Sequence, residues 1–226
     1  MNRLSNFLDL AEEWVKATFT GEASFNTITS YPDGDPVKLL TSRLVVADAL
    51  RRAIPSLDIV LTPNGFGIVS SSNIAPASKQ RVDRLVGSML ANRDDCIASL
   101  LPRLKGVGHW LGSEQSEFFG STLFPTLDIV DAIGPFIGSK WEKYLELHPK
   151  IFDLETSLAE DWFSSELMAA LRAEFLRGTM TAQRKSVVLS IQTQVVEYLK
   201  RSSFNSRRLA DTVNFIRQPV PYSRYQ

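Results

Sequence analysis

One short stretch limits the fold more than any other. Ser56–Ser70 reads SLDIVLTPNGFGIVS, two β-prone runs separated by Pro63-Asn64-Gly65. Asn-Gly readily takes the positive φ values of a tight reversal, so the stretch predicts a β-hairpin around Asn64-Gly65. A lone two-stranded hairpin is marginal in water. It must therefore lean on helices of its own chain or on another molecule.

Helical periodicity accounts for most of the remaining chain. Leu4, Phe7, Leu8, Ala11, Trp14, Val15 and Phe19 recur at three- and four-residue steps, predicting a helix over 3–19 that stops at Gly21. Residues 20–36 are polar, with Pro32, Asp33, Gly34 and Pro36, and read as a loop. A second helix is expected over 37–54, with Leu40, Leu44, Ala47 and Ile54 inward and Pro55 as its stop. After a Ser-rich linker at 70–77, Ser78 is a candidate N-cap for a helix from Lys79 to about Asn92, with Val82, Leu85, Val86 and Met89 buried. Asp94 opens a further helical stretch that Pro102 interrupts.

Residues 105–138 are rich in Gly and aromatics, which predicts an irregular connector with a short helix near 127–132. Beyond it, helices are expected over 140–147 and 151–163 with Pro149 between them. Another follows from a Ser164 or Ser165 cap to Gly178 with Leu167, Leu171, Phe175 and Leu176 inward. The longest runs from Thr181 to about Arg201, with Val187, Val188, Ile191, Val195, Tyr198 and Leu199 inward, and a short one covers 207–217. Pro219 and Pro221 forbid regular helix in the last residues, which read as an extended tail. The expected architecture is mainly α: a helical bundle with one β-hairpin. It forms a single domain over 1–217, or two helical halves, 1–104 and 139–217, joined by the connector 105–138, and 218–226 is the tail.

Composition narrows the chemistry. The 226 residues carry 25 Lys+Arg, 25 Asp+Glu, two His and one Cys, with 44% hydrophobic residues. That is ordinary for a globular protein, and too balanced for a strongly basic nucleic-acid binder. With His109, His148 and Cys96 alone, a Cys/His zinc site is not expected, and there is no partner for a disulfide within the chain. No apolar run is long enough to span a bilayer. The acidic start, with Asp9, Glu12 and Glu13, does not read as a secretory signal. GxxxxGK[ST], HExxH, GxSxG and GxGxxG are absent from the sequence. No catalytic residue, cofactor or metal is predicted.

Several smaller constellations have bland readings that outweigh the sharp ones. Cys96 with His109 is a conceivable nucleophile pair, but Cys96 sits among Ile97, Leu100 and Leu101 as a core thiol does. Asp33-Gly34-Asp35 and Asp94-Asp95 resemble pieces of a calcium loop without its full ligand spacing. Glu155, Glu160, Asp161 and Glu166 read better as a solvated helix face than as an acid–base pair. Trp14, Trp110, Trp141 and Trp162 lack a basic setting for base stacking.

The charges are distributed unevenly. Residues 1–109 hold 12 Lys+Arg and 11 Asp+Glu, residues 110–178 hold 5 and 12, and residues 179–226 hold 8 and 2, giving net +1, −7 and +6. The acidic and basic segments either pack together within one chain or meet head to tail between subunits. A third reading, in which Arg184, Lys185, Lys200, Arg201, Arg207 and Arg208 face nucleic acid, ranks last because its adjacent pairs splay around a helix.

Two segments carry a family resemblance. Leu61–Leu85 (LTPNGFGIVSSSNIAPASKQRVDRL) and Thr212–Arg217 (TVNFIR) resemble matching stretches in an uncharacterised family of phage and prophage proteins of Bacteroidales genomes. The sequence departs from that family after Arg217, where its members continue through a His-Pro segment and a further strand. The family's setting among portal, capsid and tail genes implies a virion assembly role similar to that of head–tail connectors (adaptors). The resemblance thus implies a non-enzymatic structural protein, made in the bacterial host cytoplasm and located at the head–tail junction of the virion. Its implied partners are further copies of itself in a homo-oligomeric ring, the portal protein and tail or other connector proteins, with incidental contact to packaged DNA and none to membrane. The alternatives are a nucleic-acid-binding or packaging accessory using the basic C-terminal region, and a tail-completion or baseplate component. The expected interface residues are Pro63, Asn64, Gly65 and Phe66 of the hairpin and Val220, Tyr222 and Tyr225 of the tail.

Overall fold

The computed structural model describes residues 4–56, 59–62, 65–68 and 79–204. The protein is mainly helical and divides into two compact units, Met1–Gln115 and Ser116–Gln226.

Unit 1 opens with α1 (Ser5–Val15), which continues into a π-helical turn over Lys16–Thr20. Next comes α2 (Glu22–Thr29), inside a stretch whose polar composition predicted a loop. Eight residues with Phe25 and Ile28 as the buried apolar pair are too few to show a period, and burial of that pair holds the helix. Gly21 makes the junction: its φ of 71° suits glycine, and a Cβ there would meet the Gln115 side chain at 2.8 Å. Asp35 then caps α3 (Pro36–Ala53), accepting from the Val37 and Lys38 N–H groups, with Pro36 in the first helical position.

Strands β1 (Ile59–Thr62) and β2 (Gly65–Ile68) pair antiparallel, with Leu61 opposite Phe66 and Thr62 opposite Gly65. After them α4 runs unbroken over Lys79–Leu104, correcting the two-helix reading. Arg93 and Asp94, at the expected break, are both buried and bonded to each other, and Pro102 falls in the last turn, where the helix is ending anyway. Packing of α3 on α4 and of α1 on α3 buries Val15, Leu44, Ala47, Ile97 and Leu100, while Trp110 donates its indole N–H to the Phe19 carbonyl at 2.7 Å.

The stretch 105–138 is more than a connector. It supplies α5 (Glu114–Gly120) and α6 (Asp128–Ile133), and Trp110, Phe119, Leu123, Leu127 and Ile129 are buried. Its glycines punctuate the backbone, while its aromatics supply core surface.

Unit 2 is built on α7 (Lys140–Trp162), capped by Ser139, with Pro149 inside the helix. A mid-helix proline costs roughly 3 kcal/mol. Tyr144, Leu147, Ile151, Leu154 and Leu158 are all buried on one continuous face, and that burial outweighs the penalty. Ser164 caps α8 (Ser165–Arg177), and left-handed Gly178 ends it, as the sequence indicated. Finally α9 (Ala182–Phe204) packs against α6, α7 and α8 through Val188, Ile191, Val195 and Leu199. Leu8, Leu85 and Val187, placed inward by periodicity, are instead each more than a third exposed. The expected helix over 207–217 and the tail 218–226 lie outside the described residues.

Candidate functional site

Of the expected interface residues, Gly65 and Phe66 lie in β2, on register with Thr62 and Leu61. Pro63, Asn64, Val220, Tyr222 and Tyr225 lie outside the described residues.

The buried polar groups of unit 1 form an ionic cluster that the sequence did not announce. Asp48, fully buried on α3, accepts from Arg52 Nε at 2.5 Å and from Arg51 Nη2 at 2.9 Å, and lies 3.7 Å from Arg93 Nη1 of α4. Arg93 also pairs with Asp94 at 3.0 Å. The guanidinium groups of Arg52 and Arg93 sit 6.0 and 5.5 Å from the Trp14 ring centroid, which adds a cation–π contact from α1. The Asp48 and Asp94 carboxylates are occupied by guanidinium groups, so the cluster fastens helices together.

In unit 2, α7 presents three polar side chains to the backbone of the α5–α6 segment. Tyr144 donates its hydroxyl to the Phe124 carbonyl at 2.9 Å. His148 Nε2 lies 3.2 Å from the Phe118 carbonyl and 3.3 Å from Ser121 Oγ, with its ring stacked on Phe118 at 4.3 Å. Because a carbonyl only accepts, Nε2 carries the proton and is not a base toward Ser121, whose hydroxyl itself donates to the Phe118 carbonyl. The Ser–His proximity is therefore no nucleophilic pair. Burial lowers the His148 pKa, opposed by the Phe118 hydrogen bond.

Glu155 completes the row. Its buried carboxylate accepts the Leu123 N–H and Arg172 Nε, each at 2.8 Å. Burial pushes its pKa up to about 7 against the opposite pull of Arg172 and the Leu123 N–H. Gln192 of α9 donates to the Leu123 carbonyl at 2.6 Å, so one peptide segment is gripped from two helices.

Beside that grip lies an open groove of about 550 Å³. Phe124, Pro125 and Ile129 form one wall, Leu189 and Val196 of α9 the other, with Phe175 of α8 also contributing. Asp128, Glu197 and Lys200 stand among its polar lining residues. Leu189 is 64% exposed, so much of the α9 wall faces water. Farther along the chain, Ile137 is fully exposed between Gly134 and Gly138, both at positive φ.

The other sequence candidates disperse. Cys96 is half-buried and its thiol pKa is raised by burial, opposite to what a reactive thiolate needs, while His109 is exposed. Asp35 is spent on the α3 cap and Asp33 on Lys38 at 2.9 Å. Glu160 and Asp161 are exposed and Glu155 is buried, so the four acidic residues share no solvated face and form no acid–base pair. Trp110 and Trp141 pack inside, Trp14 is half-buried beneath Arg52 and Arg93, a basic setting the sequence did not indicate, and the Trp162 side chain lies outside the described set. Arg184 pairs with Glu174 of α8, so one contact between the basic and acidic segments is met within unit 2, while Lys200 pairs with Glu197 at 3.1 Å inside the basic segment. Among the described residues, no group of three or more His, Cys, Asp or Glu is placed to hold a metal ion, and no helix is long and apolar enough to cross a membrane.

The two-unit helical fold, with its buried ionic ties and an open apolar groove, is that of a protein whose accessible features are surfaces. The chain belongs to the DUF6712 family, a family of unknown function, whose model matches residues 3–120. Leu61–Leu85 falls inside that match and Thr212–Arg217 beyond it. No curated protein and no solved structure matches the chain.

Proposed function

We propose that the chain is a non-enzymatic structural subunit of a phage virion, a head–tail connector that works as one member of a ring beside the portal. Support comes first from the resemblance of Leu61–Leu85 and Thr212–Arg217 to phage structural proteins. The structural observation that carries the reading furthest is the apolar surface left in water: the groove on unit 2, together with Ile137 at a loop tip. Covering exposed apolar side chains such as Leu189 and Ile137 against a neighbour is favourable, which fits a protein that works in contact with others.

In this reading the strand pair β1–β2 is a hairpin whose tip, Pro63–Phe66, reaches a neighbouring subunit or the portal. The nucleic-acid accessory reading is weaker because Arg184 and Lys200 are already paired with acids. Native mass spectrometry of the full chain, alone and mixed with portal protein, tests the proposal. A closed ring, or assembly that requires portal, is expected. A monomer that ignores portal and binds DNA with a steep salt dependence overturns it.

A further inference from the structure

We propose that the groove between α6 and α9 is the receptor for residues 218–226 of a second copy of this chain. The inference rests on the ring reading above and names the contact that would join neighbours.

Four observations point to that occupant. First, the reachable wall is apolar and partly aromatic, with half-buried Pro125 and Phe175 and exposed Leu189 over the buried Phe124, the kind of surface against which proline-rich segments dock in an extended conformation. Residues 218–226 read Gln-Pro-Val-Pro-Tyr-Ser-Arg-Tyr-Gln, with Val220, Tyr222 and Tyr225 as apolar anchors. Pro219 and Pro221 restrict that segment before it binds, which lowers the entropy cost of docking.

Second, the lengths agree. The α9 wall runs from Leu189 to Lys200, about 16 Å at 1.5 Å per residue. An extended polyproline-type segment covers that distance with about five residues at ~3.1 Å each, the length of Pro219–Ser223. Third, the signs are complementary at one place. Asp128, exposed at the groove, belongs to the segment 110–178 of net −7, whereas Glu197 is paired with Lys200, and the tail carries Arg224 between Tyr222 and Tyr225.

Fourth, the connection is long enough to leave its own subunit. Residues 205–217 separate the end of α9 from the tail, and with the helix expected over 207–217 they still reach about 23 Å. A tail passed from each copy to the next makes a head-to-tail contact, which closes into a ring when the rotation allows.

Cysteine cross-linking in the full chain tests this. Cys96→Ser removes the native thiol, and Ala132→Cys in the groove is combined with Val220→Cys in the tail. Oxidation with diamide should give a ladder of covalent multimers on a non-reducing gel. Chains carrying Ala132→Cys alone and Val220→Cys alone should give a covalent dimer when mixed. Adding Leu189→Asp, at an exposed groove position, should cut the yield about tenfold by placing a charge against the docked segment, with the thermal melt unchanged. A fast-migrating, internally cross-linked monomer overturns the proposal, because the tail then fills its own groove. Absence of any cross-link also overturns it. Native mass spectrometry on the same samples separates the two ideas: closed rings without cross-linking leave the ring reading standing and remove this one. A ladder with no closed ring does the reverse.

Discussion

Glu155 and Leu123 are 32 residues apart in sequence, yet the buried Glu155 carboxylate accepts the Leu123 N–H at 2.8 Å. Arg172 approaches the other carboxylate oxygen at the same distance. The contact ties the segment after α5 to the middle of α7, and it places an ionisable group where water does not reach.

That placement makes stability depend on pH. The Glu155 pKa rises on folding from the model-peptide value of 4.5 to about 7. A raised folded pKa means the native state holds the proton more tightly, so the stability it contributes is full below about pH 4.5 and is lost as pH rises toward 7. A difference of this size corresponds to about 3 kcal/mol at most. Glu155→Gln should remove most of that slope. In a His148→Gln background, urea midpoints at pH 5 and pH 7.5 should differ with Glu155 present and converge with Glu155→Gln; equal differences in both would show that another group titrates.

His148 acts in the opposite direction. Its pKa is lowered by burial, so its contribution is present above the ordinary imidazole range and is lost as pH falls below it. His148→Gln keeps a donor for the Phe118 carbonyl and removes the titration. The variant should resist unfolding between pH 6.5 and 5 better than the parent, measured by thermal melts across that range.

Asp48 balances Arg51, Arg52 and Arg93 in unit 1. Asp48→Ala leaves their charges partly buried without that acid and should cost roughly 3–5 kcal/mol. Lys150→Ala, which breaks an exposed pair with Glu146, should cost under about 1 kcal/mol. Urea unfolding of both variants checks the contrast, and a small loss for Asp48→Ala would mean that Asp94 alone satisfies Arg93.

Phe66→Asp tests the proposed hairpin contact. A two-stranded unit contributes little to the stability of a helical body. The variant should melt within a few degrees of the parent and fail to enter particles. Normal assembly would leave the strand pair without a contact role.

Deleting residues 218–226 should leave the melting temperature of the isolated chain nearly unchanged, because α9 packs on α6, α7 and α8 through Val188, Ile191, Val195 and Leu199. Incorporation into particles should be lost. Raised salt should slow assembly of the parent without preventing it, since exposed charge pairs contribute only ~0.2–1 kcal/mol each and apolar anchors carry most of the affinity. Unfolding of the truncated chain would show that the tail belongs to its own core.

Local chemistry alone marked much of this protein. The helical class, a serine cap at the start of α8 and its Gly178 stop, and the inward faces of α1 and α9 apart from Leu8 and Val187 follow from spacing and from single-residue backbone preferences, which act within a few residues. Tertiary packing decided the rest. Pro149 and the Arg93–Asp94 step looked like breaks because propensity sees only neighbours, whereas burial of a continuous face holds α7 and α4 intact. Phe25 and Ile28 made a helix of a polar stretch for the same reason. Asp48 and Glu155 resembled any other surface acid in the sequence. Arginines on the same and neighbouring helices, together with a backbone N–H far along the chain, turned them into buried ties, because a charge leaves water only where partners meet it. The groove belongs to this second group. Its walls come from residues 123–132, Phe175 and α9, stretches that no local pattern connects, and it exists because helix packing leaves their apolar sides facing one another across open solvent.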